Sequence, residues 1–452
     1  IRIQTMKEWA PDEVAHYKQH YVSASKGNYD IYVIFVEKGL SLLNPKGRFG
    51  FILPHKFFQT QYGEPLRKLI ADNKSLSKIV DFTTNQIFEN ATTYTCLLFL
   101  SKKENKEFKY LKLALKDDFV NLDKKENFEI MPSSKLKSNV WCFHTLAASK
   151  VVEKLNLVQT KLVDITKKIF KGSSTGNDKI YLLRLIKEKD KTCVVFSEQV
   201  DKEIELEKNI LKPFLFGSDI KKYGGPQTKI RILFPYEIVG DRVNLIPIEK
   251  LKKEYPLSFE YLSSVKLILM NRKIDHAAND FYKYSAARSL IEYNQTKIMI
   301  PDILVENRIT IDLNGSFYHG PAIHSIVFNE KVKNYNPLFF LGIFNSKLFW
   351  FYLTQTSTAL RGNAYRLIPQ FLEPFPIKLI NFNDPSEKAI HDKLVSLVDR
   401  MLELHKKKNS LPPSAEREKI EREIAVTDEK IDEIVYGLYG VTDEERRTIE
   451  GN

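Results

Sequence analysis

Residues 30–100 constrain the fold most, because helical and strand-like periods alternate there with only short breaks between them. Residues 30–43 (DIYVIFVEKGLSLL) carry apolar side chains at helical spacing, Pro45 and Gly47 interrupt them, and residues 48–53 (RFGFIL) form an apolar run of strand length. Pro54 ends that strand. Residues 56–72 return to helical spacing, residues 78–82 (KIVDF) read as a second strand, and residues 93–100 (TYTCLLFL) as a third. The alternation predicts an open α/β sheet whose visible part is the second half of a doubly wound domain.

Length then limits the architecture. A chain of 452 residues is too long for one core, so two or three domains are expected. A hydrophobic content of 43% with 12% aromatics excludes wholesale disorder. No apolar run approaches the roughly 20 residues that span a bilayer, and the first residues lack a signal-peptide pattern, which leads to the expectation of a cytoplasmic protein with no membrane partner. Cys96, Cys142 and Cys193 are too widely spaced for a zinc site or a disulfide framework and read as buried thiols. The nine histidines show no ligand spacing, so no metal is expected.

Charge divides the chain more sharply than hydropathy. Lys+Arg against Asp+Glu is 20 against 16 for residues 1–134, 37 against 24 for 135–380 and 12 against 17 for 381–452, giving net charges of +4, +13 and −5. A polyanion would meet the central segment first. Basic balance with interleaved aromatics is the footprint of phosphate-backbone binding, although composition alone tips the balance only slightly toward nucleic acid.

The run DIYVIFVEKGLSLLNPKGRFGFILPHKFFQTQYGEPLRKLI, with IVDFTTNQIFENATTYTCLLFL after it, resembles the adenine-N6 DNA methyltransferases of the TaqI type, including the fused type IIG restriction-modification enzymes. In that family the stretch comes after an Asn-Pro-Pro-Tyr tetrad. The Asn side chain and a Pro carbonyl accept from the adenine amine, and the Tyr stacks on the flipped base. A glycine-bearing loop further upstream holds S-adenosylmethionine. Neither motif occurs in this sequence, and residues 1–4 (IRIQ) resemble the family residues just past the tetrad. The resemblance therefore implies the C-terminal part of such an enzyme, inactive alone, with the N-terminal catalytic half or a nuclease domain as its missing partner.

Within this frame Phe88, in QIFENATTYT, matches the position where an aromatic covers the second face of the flipped adenine. Such stacking is worth roughly 1 to 3 kcal/mol per base, against an unstacking cost of a few kcal/mol. Composition alone favours a core aromatic; the resemblance reverses the preference. Lys56, just past the strand end at Pro54, could contact a phosphate, and a solvated loop lysine is equally expected.

A charged, poorly periodic stretch at 102–129 and Pro132-Ser-Ser mark a boundary near residue 134. The expected domains are residues 1–134, the second half of the methyltransferase domain; 135–380, a mixed α/β target-recognition domain; and 381–452, a helical hairpin. Residues 144–155 read as helical, and residues 164–170 as a strand leading into Lys171-Gly-Ser-Ser-Thr-Gly-Asn-Asp-Lys179. That segment suits a loop approaching phosphates or base edges; a plain hairpin turn explains the glycines equally well. The type IIG recognition domain starts with a similar turn, which raises the DNA reading for Ser173, Thr175, Asn177 and Lys179. The blocks LKPFLFGSDIKKY, KIRILFPY, KIMIPDILVENRITIDL and residues 345–376 also resemble that domain.

The polar loop TQTSTALRGNAYR (354–366) offers Arg361, Asn363 and Arg366. An arginine fork can grip guanine O6 and N7, a contact worth about 1 to 3 kcal/mol of discrimination. Loop-holding salt bridges or carbonyl contacts are the competing role. Lys221, Lys222, Arg272, Arg288 and Arg308 are weaker candidates. Asp302 with Glu306 faintly suggests a nuclease signature, but the spacing is too short and an alternating strand pair explains the residues better.

The tail carries amphipathic helices at 387–408 and 414–438 joined by Leu411-Pro-Pro-Ser. Its negative balance favours bracing over DNA contact. The resulting expectation is a DNA target-recognition region with part of the catalytic domain of a site-specific adenine-N6 methyltransferase, using S-adenosylmethionine in the complete enzyme and double-stranded DNA as partner. The competing class is a non-enzymatic specificity subunit serving a separate catalytic chain. An RNA-binding or structural protein comes third.

Overall fold

The computed structural model describes residues 1–83, 85, 87–88, 93–113, 128–143, 146–240, 242–275, 277, 279–360 and 363–451. Two compact units emerge. One comprises residues 1–150 with 354–365, the other residues 151–353 with 366–452.

The first unit is built on a five-stranded sheet of β1 (Arg48–Pro54), β2 (Leu76–Asp81), β3 (Thr95–Ser101), β4 (Glu107–Lys112) and β5 (Glu129–Pro132), in the order β1-β3-β2-β4-β5. β3 runs antiparallel to both neighbours, so β1 and β2 are parallel, and β4 pairs parallel with β2. Three strands therefore end at the same side of the sheet. The predicted α/β class holds. The helix Tyr32–Ser41 buries Val33 and Val36, the helix Glu64–Asp72 buries Leu66 and Ile70, and these pack in one core with Leu53, Ile79, Leu98 and Leu100.

Two local expectations are corrected. The helical period from Lys56 is not one helix: two 3-10 turns, His55–Phe58 and Gln61–Gly63, precede the α-helix. Backbone crowding fixes the break, since a Cβ on Gly63 would meet the Phe57 carbonyl oxygen at 2.2 Å. The charged stretch from Lys102 also hides β4, whose Phe108 and Tyr110 alternate inward between exposed lysines. Charged outward residues had masked the strand period.

Arg67 ties the unit together. It is 2% exposed. Its Nε donates to the carbonyls of Ser138 (3.0 Å) and Asn139 (2.8 Å), and its Nη1 donates to those of Phe57 (2.5 Å) and Thr60 (2.9 Å). Burial lowers its pKa to about 10.

The second unit begins with β6 (Thr166–Lys171), β7 (Leu182–Glu188), β8 (Thr192–Ser197), β9 (Lys202–Glu207), β10 (Leu211–Leu215) and β11 (Ile230–Leu233). A hairpin comes next, β12 (Tyr236–Val239) with β13 (Arg242–Leu245), then β14 (Lys297–Pro301), β15 (Ile303–Leu304), β16 (Thr310–Asp312), β17 (Tyr318–His319) and β18 (Ile323–Phe328). They form a six-stranded sheet, β17-β10-β11-β7-β8-β9, and a four-stranded one, β16-β14-β18-β6. The strand pair expected from IMIPDIL and RITIDL is β14 with β16.

The tail helices are Pro385–Ser410 and Ala415–Leu438, capped by Asp384 and Ser414. They bury Leu394, Val398, Met401 and Leu404 from the first, and Ile420, Ile431 and Val435 from the second. The helix Pro337–Asn345, apolar along its whole length, lies close enough that a Cβ on Gly342 would meet Val398 Cγ2 at 2.9 Å. A hairpin with one apolar stripe needs such a partner to bury it.

Candidate functional site

In open α/β sheets, ligands bind beyond the carboxyl ends of the parallel strands. At that side of the first unit a cavity of 140 Å³ is lined by His55 after β1, Asp81 and Thr83 at the end of β2, and Lys112 at the end of β4, with Trp141 and Tyr365 among its other walls. His55 Nδ1 lies 2.8 Å from Asp81 Oδ1. The same oxygen accepts the Thr83 backbone N–H at 2.8 Å, and Oδ2 accepts the Tyr110 hydroxyl at 3.3 Å. Asp81 thus organises the rim. Thr83 sits in the left-handed region at φ 52, a conformation costing on the order of 1 to 3 kcal/mol that persists only where surroundings enforce it. Here the Asp81 carboxylate and the Leu113 carbonyl, which accepts from Thr83 Oγ1 at 3.3 Å, enforce it.

Aromatic packing closes the cavity floor. The Trp141 backbone N–H donates to the Phe58 carbonyl at 2.8 Å, and Phe143 stacks on Tyr110 with centroids 4.5 Å apart. Cys142, also lining, is half-buried, and desolvation pushes its thiol up to about 12. A thiol held protonated in this way is not a nucleophile; Cys96 and Cys193 are buried as expected, and Cys142 is only partly so.

Phe88 lies on the segment leaving β2 and is 45% exposed, which is unusual for a Phe and keeps much of the ring at the surface. Lys56 is exposed on the turn beside His55. Sequence reasoning missed His55, Asp81 and Lys112. The available signal was Asp81 itself, a carboxylate ending an apolar strand.

In the second unit, residues 172–179 form a tightly satisfied turn. A Cβ on Gly172 would meet the His319 carbonyl oxygen at 1.8 Å, so only glycine lets the turn lie on β17. Ser173 and Thr175 are buried. Ser173 Oγ donates to the Arg288 carbonyl at 2.9 Å, and Thr175 Oγ1 donates to Asp178 Oδ1 at 2.5 Å. These hydroxyls hold the turn's shape. Asn177 is half-buried and Lys179 exposed. Arg272 donates to the carbonyls of Leu269, Thr175 and Phe281, and Arg308 to that of Ile220. Both serve the backbone.

Lys221 is exposed, whereas Lys222 Nζ is paired with Asp428 Oδ2 at 2.5 Å. The loop of 354–366 contains two short strands, β19 (Thr358–Leu360) and β20 (Ala364–Arg366), with Asn363 exposed between them at φ 56. Arg361 lies outside the described residues. Arg366 is exposed. Asp302 is partly desolvated, yet the His324 hydrogen bond and the charges of Lys171 and Arg366 hold its carboxyl below the ordinary value. His319 is fully buried and pushed down to about 3 by desolvation, so it is a neutral core group. Among the described residues no cluster of His, Cys, Asp and Glu could hold a metal, and no helix is long and apolar enough to cross a membrane.

The sheet with its cavity at the strand ends gives the first unit a methyltransferase-like α/β fold. Residues 1–88 match the family model described as Eco57I restriction-modification methylase, and residues 212–377 match that of the TaqI-like C-terminal specificity domain. The chain belongs to the type II restriction-modification methyltransferases with a specificity domain. It is 30% identical to the type II restriction enzyme and methyltransferase RM.Eco57I of Escherichia coli, over 98% of this chain and 46% of that protein. It is 22% identical to the type II methyltransferase M.XhoI of Xanthomonas vasicola, over 81% of this chain and 65% of the relative. The chain therefore spans about half the length of the first and two thirds of the second. A structure of the type IIL restriction-modification enzyme MmeI in complex with DNA shares the fold, with a TM-score of 0.59 and 13% identity over 98% of this chain and 54% of that one.

Methyltransferase relatives imply S-adenosylmethionine in general. The residues here do not fit it. The 140 Å³ cavity is well below the roughly 300 to 1,000 Å³ of ligand pockets, and the turn with Gly172 and Gly176, between β6 and the helix Asp178–Tyr181, belongs to the second unit and packs on β17.

Proposed function

We propose that this chain supplies target recognition and part of the base pocket of a site-specific adenine-N6 DNA methyltransferase in a restriction-modification system. The observation that carries the reading is Phe88, a 45% exposed aromatic on the segment that leaves β2 at the carboxyl side of three parallel strands. An adenine extruded from duplex DNA needs an aromatic face to replace the stacking it loses. Lys56, Lys179, Lys221 and Arg366, all exposed, contact phosphates or bases in this reading, joined by Asn177, Asn363 and Arg361. Ser173 and Thr175 act by shaping the turn that carries Lys179, and Lys222 by its pair with Asp428.

Among the described residues β1 pairs only with β3. Its other edge is available to the strands that carry the cofactor loop and the Asn-Pro-Pro-Tyr tetrad in the complete enzyme, where S-adenosylmethionine is the methyl donor. A cytoplasmic location accompanies this reading. The test uses the complete natural protein with S-adenosylmethionine and two duplexes, one with the target adenine intact for methyl transfer and one with 2-aminopurine in its place to report base flipping. Methyl transfer to adenine N6, with a fluorescence rise that Phe88→Ala abolishes and Phe88→Trp retains, is the expected result. Salt-dependent DNA binding without methyl transfer would instead make the chain a specificity subunit.

A further inference from the structure

A cavity of the second unit has no role in that reading. It measures 420 Å³ and lies among β10, β11, the β12–β13 hairpin and the segment leading into β17. That volume falls in the range of about 300 to 1,000 Å³ typical of small-molecule sites. Aromatic rings of Phe234, Tyr236, Tyr255 and Tyr318 line it, together with Lys212 and Asn294.

The rings are fixed in place. Tyr318 stacks on Tyr293 with centroids 4.4 Å apart at 20° and donates its hydroxyl to Asn294 Oδ1 at 3.2 Å. The Tyr236 hydroxyl accepts the Tyr284 backbone N–H at 2.7 Å. Both rings keep their positions without a ligand, so little ordering is needed on binding. With its oxygen engaged by Tyr318, the Asn294 amide retains an N–H₂ group with no partner among the described residues.

Lys212 is the exceptional member. It is half-buried on β10, and among the described residues no carboxylate or other acceptor pairs with its ammonium. The other lysine lining the cavity, Lys250, is already paired with Glu237. Burial lowers the Lys212 pKa. A partly desolvated cation without a counter-charge is costly. One explanation is that the stem covers apolar surface while the head reaches water. An anion supplied from outside explains more, because it also accounts for the preset rings and the amide donor beside it.

We propose that this cavity binds a nucleotide, with the phosphate on Lys212, the base against the aromatic wall and a base-edge acceptor on Asn294. The inference stands apart from the methylation reading. The nucleotide is either free or one unit of a DNA strand. The experiment titrates the intact protein with dAMP, deoxyadenosine and inorganic phosphate by calorimetry, then repeats the dAMP titration with saturating duplex.

dAMP should bind, with the nucleoside and phosphate each weaker by about tenfold or more, the worth of one lost charge-assisted contact. Lys212→Ala should lose a similar factor and Lys212→Arg should retain binding. Loss of the dAMP signal in the presence of duplex assigns the site to a strand nucleotide; persistence assigns it to a free one. Should the variants misfold, acetylation of Lys212 in the wild-type protein, read by mass spectrometry, should be slowed by dAMP. No dAMP binding at millimolar concentration, binding indifferent to Lys212→Ala, or unprotected Lys212 would each overturn the proposal.

Discussion

Replacing Arg67 with Ala is the sharpest test of how the first unit holds its site. The guanidinium is 2% exposed and satisfies four carbonyls from two separate segments, Phe57 and Thr60 on one side and Ser138 and Asn139 on the other. Ser138 and Asn139 lie near the surface and would regain water. The Phe57 carbonyl is buried and the Thr60 carbonyl partly so. Each would be left at a cost of about 1 to 3 kcal/mol, and with the lost charge-assisted bonds the total comes to roughly 3 to 5 kcal/mol. At urea slopes of about 1 to 3 kcal/mol per molar, the midpoint should fall by on the order of 1 to 5 M.

Lys, which keeps the charge but presents a point donor instead of a fork, should fall in between. Urea unfolding monitored by tryptophan fluorescence gives the global value. The Trp141 N–H bonds to Phe58 beside the fork, so it reports on the same region. Hydrogen exchange gives the local one: peptides covering 55–63 and 133–143 should lose protection while those of the β7–β11 sheet keep theirs. Because the 55–63 segment carries His55 and Lys56, the variant should also weaken DNA binding in proportion to that local opening. An Arg67→Ala protein within about 0.5 kcal/mol of wild type, with unchanged exchange, would refute the account.

Other residues of both units give further tests. Phe88→Ala should leave stability within about 0.5 kcal/mol, because nearly half of the residue faces solvent; a collapse in thermal unfolding would show a core role instead. Lys179→Ala and Arg366→Ala, assayed by salt titration of duplex binding, should each lower the logarithmic salt slope by about 1 if they meet phosphates. Arg361→Ala should weaken binding to the target site more than to random duplex, and equal losses would mark a phosphate contact or a structural prop. Asp432 is buried on the second tail helix, where desolvation raises its carboxyl to about 6 from the ordinary 3.8. The fold therefore binds that proton more tightly than the unfolded chain does. Its stabilisation is full below about pH 4 and lost as pH rises through 6, a span worth about 3 kcal/mol. Asp432→Asn keeps an oxygen for the Lys347 N–H, which Oδ1 now accepts at 2.8 Å, and should flatten that decline in unfolding experiments between pH 4 and 7.

Sequence alone determined what depends on local period and on blocks of matching residues. The apolar runs at 48–53, 78–82 and 93–100 became β1, β2 and β3 within a few residues, and the tail stripes became two capped helices. These elements are legible because side-chain spacing and the breaks at Pro and Gly act within one turn or strand. The family was legible in the same stretch.

Tertiary structure decided the rest. β3 inserts between β1 and β2, and the charged 107–112 segment adds β4 parallel to β2. That pairing brings the strand ends of His55, Asp81 and Lys112 around one cavity. Nothing in the spacing of residues 26 apart announces a 2.8 Å hydrogen bond. The same holds for Ser173 and Thr175, whose hydroxyls are suited by type to DNA but are bonded inside the protein. Helical spacing around Arg67 gives no sign that carbonyls from two segments meet it in the core. Local period sets which way a side chain alternates; only long-range pairing and packing set what it meets.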